Sequence, residues 1–302
     1  MAALYAGTEA GLVELASDGT WVTVAFAGRR VDALAGDGTR RWAIVDAAEL
    51  WLADGEGTWR LEAEAPGPPL TCLTLTSTGP VVGSAEAHLY RLSDGRLDGL
   101  DTFEQAEGRA HWYTPWGGPP DIRSLSVDAD GSLFANVHVG GVLRSHDGGV
   151  TWRPTIDIHA DVHQVLAGPA PGLILAASAE GLAVSDDAGI SWRIDDEGLH
   201  DTYCRAVAAT PTTVVVSASS GPRGHRSALY RGALPRAGAF QRCRAGLPEW
   251  FDANVDTGCL VADGSVVAAA VPDGEAFISP DDGRTWSRAA IGLPPVRCLA
   301  LA

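Results

Sequence analysis

An octapeptide of the form Ser-x-Asp-x-Gly-x-Thr/Ser-Trp occurs three times in this chain, at Ser145–Trp152, Ser185–Trp192 and Ser279–Trp286. The first two copies begin 40 residues apart, and the second and third 94 apart, two periods of 47 with one unit lacking the motif. A fixed period of about 20–50 residues signals a solenoid, a propeller or an array of stacked units. Helical periodicity is nearly absent, and short Val/Ala/Leu runs alternate with Gly/Asp/Pro/Ser turns, the pattern of many short strands. Strand-built units of this length are the size of a four-stranded propeller blade, about 40–50 residues.

The motif residues have physical roles. Asp and Ser side chains can accept from nearby backbone N–H groups and hold a tight turn. The Gly supplies a backbone conformation that other residues enter with strain, and the Trp buries a large ring between neighbouring sheets. The octapeptide resembles the Asp-box, or BNR repeat, of sialidases, sortilin-type receptors and many bacterial propellers. The chain as a whole is similar to cytoplasmic bacterial Asp-box propellers without an assigned activity. That resemblance implies the fold and leaves the reaction open, because the box is a hairpin turn and function lives in sites grafted on a fold.

The expected architecture is all-β: one β-propeller domain over residues 1–302, with seven four-stranded antiparallel blades. Inner strands begin near Val31, Leu70, Ile122, Val162, Tyr203, Val255 and Val296. The chain opens on a second strand, Leu4–Thr8, and ends on a first strand, Val296–Ala302. Pairing the C-terminal strand with the N-terminal blade would close the ring and remove its free edges. Trp21 in SDGTW and Trp59 in ADGEGTW look like degraded copies of the box.

Composition narrows the partners. The formal net charge of −16 repels a polyanion, so nucleic acid is excluded as a partner. No run approaches the ~18 apolar residues of a membrane span, and the N-terminus has no signal-peptide pattern, which points to the cytoplasm. Five cysteines without C-x-x-C spacing fit a reducing compartment, as small buried hydrophobes.

The three boxes occupy turns between third and fourth strands and so mark one face, the bottom. The opposite, top face carries long connections rich in reactive groups. These hold Trp112, Tyr113 and Trp116; then His159, Asp161 and His163; then His200 and Tyr203; then Arg223 and His225; and finally Trp250 and Asp256. With His111 and His138, six of the eight histidines map to the top, where loops on a rigid scaffold concentrate binding and catalysis. Aligned inner strands also place Arg123, His163, Arg205 and Arg297 at equivalent positions near the top of the central channel. Asp32 and Thr71 share that register, and Asp256 is aligned with it.

Three arginines converging in an acidic protein point to a carboxylate, sulfate or phosphate ligand. A water-filled ring neutralised by Asp32, Asp121, Asp161 and Asp256 is the structural alternative. Two further chemistries are open. His138, His159 and His163 would suit one divalent transition metal. His163, His200, Tyr203 and Asp161 would supply an acid and a base between walls of Trp112, Trp116 and Trp250. The sialidase resemblance implies an arginine-bound carboxylate and a Glu-activated Tyr, but Arg29 and Arg30 are followed by Val-Asp and no Arg-Ile-Pro motif is present. The expected function is therefore an enzyme of lyase, isomerase or hydrolase type acting on a small anionic molecule. The alternative is a non-catalytic module that grips a protein or peptide with its aromatic loops.

Overall fold

A computed structural model of the protein describes residues 3–302 apart from 17, 56, 115–116 and 236–238. In chain order its strands are β1 (Leu4–Thr8), β2 (Gly11–Leu15), β3 (Trp21–Ala25), β4 (Val31–Gly36), β5 (Arg41–Val45), β6 (Glu49–Ala53) and β7 (Trp59–Glu64). There follow β8 (Leu70–Thr76), β9 (Gly79–Ser84), β10 (Leu89–Ser93), β11 (Arg96–Gly99), β12 (Ile122–Val127), β13 (Leu133–Val137), β14 (Gly141–Ser145) and β15 (Arg153–Pro154). The next are β16 (Val162–Ala167), β17 (Ile174–Ser178), β18 (Gly181–Ser185), β19 (Arg193–Asp195), β20 (Tyr203–Ala209), β21 (Thr213–Ser219), β22 (Ala228–Ala233) and β23 (Gln241–Arg242). The last are β24 (Leu260–Asp263), β25 (Val266–Val271), β26 (Glu275–Ser279), β27 (Ser287–Ala290) and β28 (Val296–Leu301).

These strands form seven four-stranded antiparallel sheets. Blade 1 is β28-β1-β2-β3, and blades 2 to 7 are successive quartets from β4 to β27. The ring closes as the sequence implies: β28 pairs with β1, Leu4 opposite Leu301 and Ala6 opposite Leu299. Ala3 and Ala302 extend the ladder by exchanging backbone bonds of 2.7 and 3.0 Å. Six inner strands begin where expected. The seventh, β24, begins at Leu260 and not near Val255, because residues 251–259 form a top connection before the strand starts.

The core lies between blades. Second strands such as β13 and β17 are covered on both faces and are buried throughout. Their small residues set the blade spacing: a Cβ at Gly83 of β9 would lie 2.5 Å from Ile122 of the next blade. The octapeptides behave as their residues require. In the first, Ser145 donates to Asp147 at 2.8 Å and accepts from Gly149 N at 2.7 Å, while Asp147 accepts from Thr151 N and Thr151 Oγ1. The same bonds recur around Asp187 and Asp281. Trp152 and Trp286 are buried, Trp152 edge-on to Phe103 of the preceding blade's connection.

Candidate functional site

A bulge near the top of the inner strands builds the centre of the top face. Pairing between first and second strands skips Asp32, Thr71, Arg123, His163 and Arg297, and slips by one residue across Arg205 and Ala206. An unpaired extra residue bends the strand and re-aims its side chain. The six positions aligned from sequence are therefore the bulge positions of six blades. β24 has no such bulge, and Asp256 lies in the connection before it. Thr257 fills the gap, its hydroxyl donating to the carbonyls of His163 and Arg205 at 3.0 Å each.

The three arginines are not equivalent. Arg297 bonds Glu9 at 2.9 Å and lies 3.0 Å from Asp32, which also pairs with Arg30. Arg205 lies 2.6 Å from Asp256. The guanidinium of Arg123 makes no ion pair and no hydrogen bond among the described residues, although the charges of Asp161 and Asp256 reach it. Burial, followed by the charge of Arg205, pulls its pKa down from the ordinary arginine value, yet an arginine so shifted is still a cation at neutral pH. Arg123, Arg205 and Arg297, together with the carboxylates Glu9, Asp121 and Asp256, line a funnel of about 440 Å³ that opens on the top face. Below it a channel of about 480 Å³ shares Arg123, Thr71, Thr257 and Arg297 at its upper end, and Leu34, Leu125, Leu166 and Val261 line its walls.

Beside Arg123 stands a second group. Asp161 is flanked by two imidazoles, with His138 Nε2 3.4 Å from one carboxylate oxygen and His163 Nε2 3.4 Å from the other. Burial works to raise the Asp161 pKa, but the bonds and charges of the two histidines outweigh it and hold the carboxyl well below the usual range. Asp161 is therefore a fixed anion and a weak base. The His163 ring is tilted against Tyr203, centroids 4.7 Å apart. Burial, more than the opposing charge of Arg205, raises the Tyr203 pKa, so its hydroxyl stays protonated.

His163 itself is fully buried, and its Nδ1 lies 2.6 Å from the carbonyl of Cys204 in the next blade. That bond belongs to a repeating device. Cys298 donates to Val31 O, Cys72 to Ile122 O, Asn136 to Val162 O, Ser217 to Val255 O and Cys259 to Val296 O. In each case one blade's side chain caps a carbonyl where the next blade begins. The cysteines are structural, and burial pushes the Cys72 and Cys298 thiols up to about 12.

The remaining sequence candidates lie away from this centre. His200 is 2.7 Å from the Tyr230 hydroxyl and tilted against Trp250, in a cluster on blade 6. Burial and the charge of Arg226 lower its pKa. Trp250 packs on the core between blades 5 and 6 and carries the Arg226 and Arg242 guanidinia at 4.6 and 3.6 Å from its ring centre. Trp112 packs on Phe103 with Arg109 above it, fastening its loop. Tyr113 is exposed beside the exposed His159, which therefore does not join His138 and His163 at Asp161. Arg223 and His225 are exposed on the loop between β21 and β22, and Trp116 lies outside the described residues. Among the described residues no three His, Cys, Asp or Glu side chains are grouped so as to hold a metal ion. No helix among them is long and apolar enough to cross a membrane. Sequence reading missed two residues of the centre, Glu9 and Thr257; both sit in connections, outside the strand alignment that found the others.

No protein-family model matches the sequence, and no curated protein matches it. Solved structures share the fold at low identity. An ancestral GH74 enzyme superposes with a TM-score of 0.63 at 12% identity, over 91% of this chain and 37% of its own. The GH74 xyloglucanase of Xanthomonas campestris gives 0.57 at 15%, over 95% of this chain. This chain thus spans less than half the length of either enzyme, 37% and 47%. YCF48 bound to D1 peptide gives 0.58 at 17%, over 95% of this chain and 88% of its own. Enzymes and non-catalytic scaffolds are both among the structural neighbours, which establishes the propeller fold and no activity.

Proposed function

We propose that this protein is a binding propeller that takes a small anionic molecule, a carboxylate or comparable oxyanion, in the top funnel, with Arg123 as its anchor. The observation that carries this reading is the Arg123 guanidinium, which faces the funnel with no ion pair or hydrogen bond among the described residues while Arg205 and Arg297 beside it are already paired. A guanidinium in a partly desolvated recess binds a carboxylate through two parallel charge-assisted bonds. The protonated Tyr203 hydroxyl is a further donor near that centre, whereas the Thr71 hydroxyl already donates to the Ile122 carbonyl. The three octapeptide turns support placing the chain among Asp-box propellers.

Binding is favoured over acid–base catalysis by the state of the candidate groups. His163 is fully buried in a blade seam, Asp161 is a weak base, and His200 belongs to another blade's rim. The aromatic-loop alternative draws less support from Trp112 and Trp250, which pack on the chain's own core. The test is calorimetric titration with a panel of mono-, di- and tricarboxylates and phosphate. At least one should bind, and Arg123→Ala should weaken it by about tenfold or more, the worth of a charge-assisted pair. Arg297→Ala, which removes an arginine already paired, should matter far less. Equal binding by wild type and Arg123→Ala, or no binding across the panel, refutes the assignment.

A further inference from the structure

Charge in this chain is segregated in a way the total conceals. Residues 202–248, which make up blade 6, contain seven arginines and no Asp or Glu. The rest of the chain holds 15 arginines against 38 carboxylates, and the protein contains no lysine. Elsewhere most arginines, among them Arg29, Arg40, Arg60, Arg109, Arg193 and Arg288, have carboxylate partners, and those that do not are spread over several blades. On blade 6, Arg205 turns inward to Asp256, whereas Arg223, Arg226, Arg231, Arg242 and Arg244 make no ion pair among the described residues.

Apart from Arg231, which bonds Gln241, these unpaired cations gather around Trp250 and the top loop of blade 6. Arg226 and Arg242 both lie over the Trp250 ring. Burial, and then the charges of Arg244 and Arg226 against the opposing influence of Tyr230 and Glu249, lowers the pKa of Arg242. Exposed Arg223 and His225 extend the patch along the top loop, and exposed Arg244 extends it past the outer strand β23. Glu249 is the one carboxylate acting on Arg242, and three arginines, Arg226, Arg242 and Arg244, crowd this tryptophan without an ion pair, an excess of like charge whose electrostatic complement is left to another molecule.

We infer that the outer top rim of blade 6 is a docking surface for an acidic polypeptide segment of a partner protein, separate from the Arg123 funnel. A peptide fits better than a nucleic acid: the 38 carboxylates outside this blade repel a long polyanion, but a short acidic segment can stay within the basic strip. Stacking of guanidinia on Trp250 fixes their planes, which favours forked pairing with carboxylates over diffuse attraction.

The experiment is fluorescence anisotropy of a fluorescein-labelled decaglutamate peptide at about 50 and 200 mM NaCl, where screening separates surface charge pairing from other contacts. Binding should weaken several-fold at the higher salt. The triple variant Arg223→Glu/Arg226→Glu/Arg244→Glu changes exposed side chains, and circular dichroism checks that it folds. It should lose at least tenfold in affinity, while the control Arg96→Glu/Arg153→Glu, on blades 3 and 4, should not. Four results would overturn the inference: no binding at low salt, binding unchanged in the triple variant, loss of peptide binding in Arg123→Ala, or tighter binding of a ten-nucleotide oligothymidylate than of the peptide. Failure here leaves the funnel reading intact, since that is judged by small anions and Arg123 alone.

Discussion

His163 tests whether the buried imidazole is a reacting group or a joint between blades. The structure gives it one hydrogen bond, Nδ1 to Cys204 O at 2.6 Å, and a longer contact of 3.4 Å from Nε2 to Asp161, with no exposed surface. Replacing it with Ala removes a buried ring of roughly aliphatic side-chain size, about 1.5–3 kcal/mol. It also leaves the Cys204 carbonyl without its donor, about 1–3 kcal/mol more. The sum, about 2.5–6 kcal/mol, is large for one substitution. Two amides separate the bond from the contact. The Asn side-chain nitrogen occupies the position of Nδ1, as Asn136 does for Val162 O one blade earlier, so His163→Asn should keep the seam. The Gln nitrogen occupies the position of Nε2 and should keep only the contact to Asp161. Urea unfolding followed by tryptophan fluorescence at neutral pH should give His163→Asn less than half the loss of His163→Ala, with His163→Gln between them. A His163→Ala protein within about 1 kcal/mol of wild type would refute the joint, because a catalytic group can be removed at little cost in stability.

Two further outcomes follow from the turns. Gly246 has φ +86, and a Cβ there would lie 1.7 Å from the Trp286 carbonyl oxygen, whereas Gly292, φ +73, has nothing within 4 Å. Gly292→Ala should therefore cost about 1 kcal/mol, the left-handed penalty alone, and Gly246→Ala more than about 3 kcal/mol, because the backbone at Trp286 must move; equal losses in urea unfolding would show that the contact is not rigid. In acid, the side-chain bond from Ser191 and the backbone bond that follows it pull Asp187 down to about 2. A carboxylate held below its unfolded value of about 3.9 contributes stability above that pH and loses it as pH falls toward the native value. The urea midpoint should therefore drop between about pH 4 and pH 2, and Asp187→Asn should flatten that drop; a midpoint that rises into acid would contradict the sign.

The fold was legible because its signal repeats. Three copies of one turn fixed the unit, and a chain that starts on a second strand and ends on a first had one sensible way to close. The expected start of β24 lies too early for a physical reason: Val255 and Cys259 flank a polar stretch in which Thr257 is spent on the carbonyls of His163 and Arg205, and the chain does not pair until Leu260. Alignment also found the bulge residues without revealing the bulge, because a one-residue slip exists only in the pairing. The seams were less accessible still. Cys, Asn, His and Ser perform one task there, and no residue pattern joins them. His163 occupies a bulge position, where its type suggests chemistry, and it also makes a seam bond that in other blades is made by Cys, Asn or Ser at neighbouring positions. The basic blade is the opposite case. Its 47 residues without a carboxylate were visible in the sequence, and a total charge of −16 averaged them away. Charge taken blade by blade matches the length over which electrostatics acts, since the screening length of about 8 Å at physiological salt is shorter than a blade is wide. An acidic partner approaching blade 6 therefore meets the local arginines before it meets the net charge of the molecule.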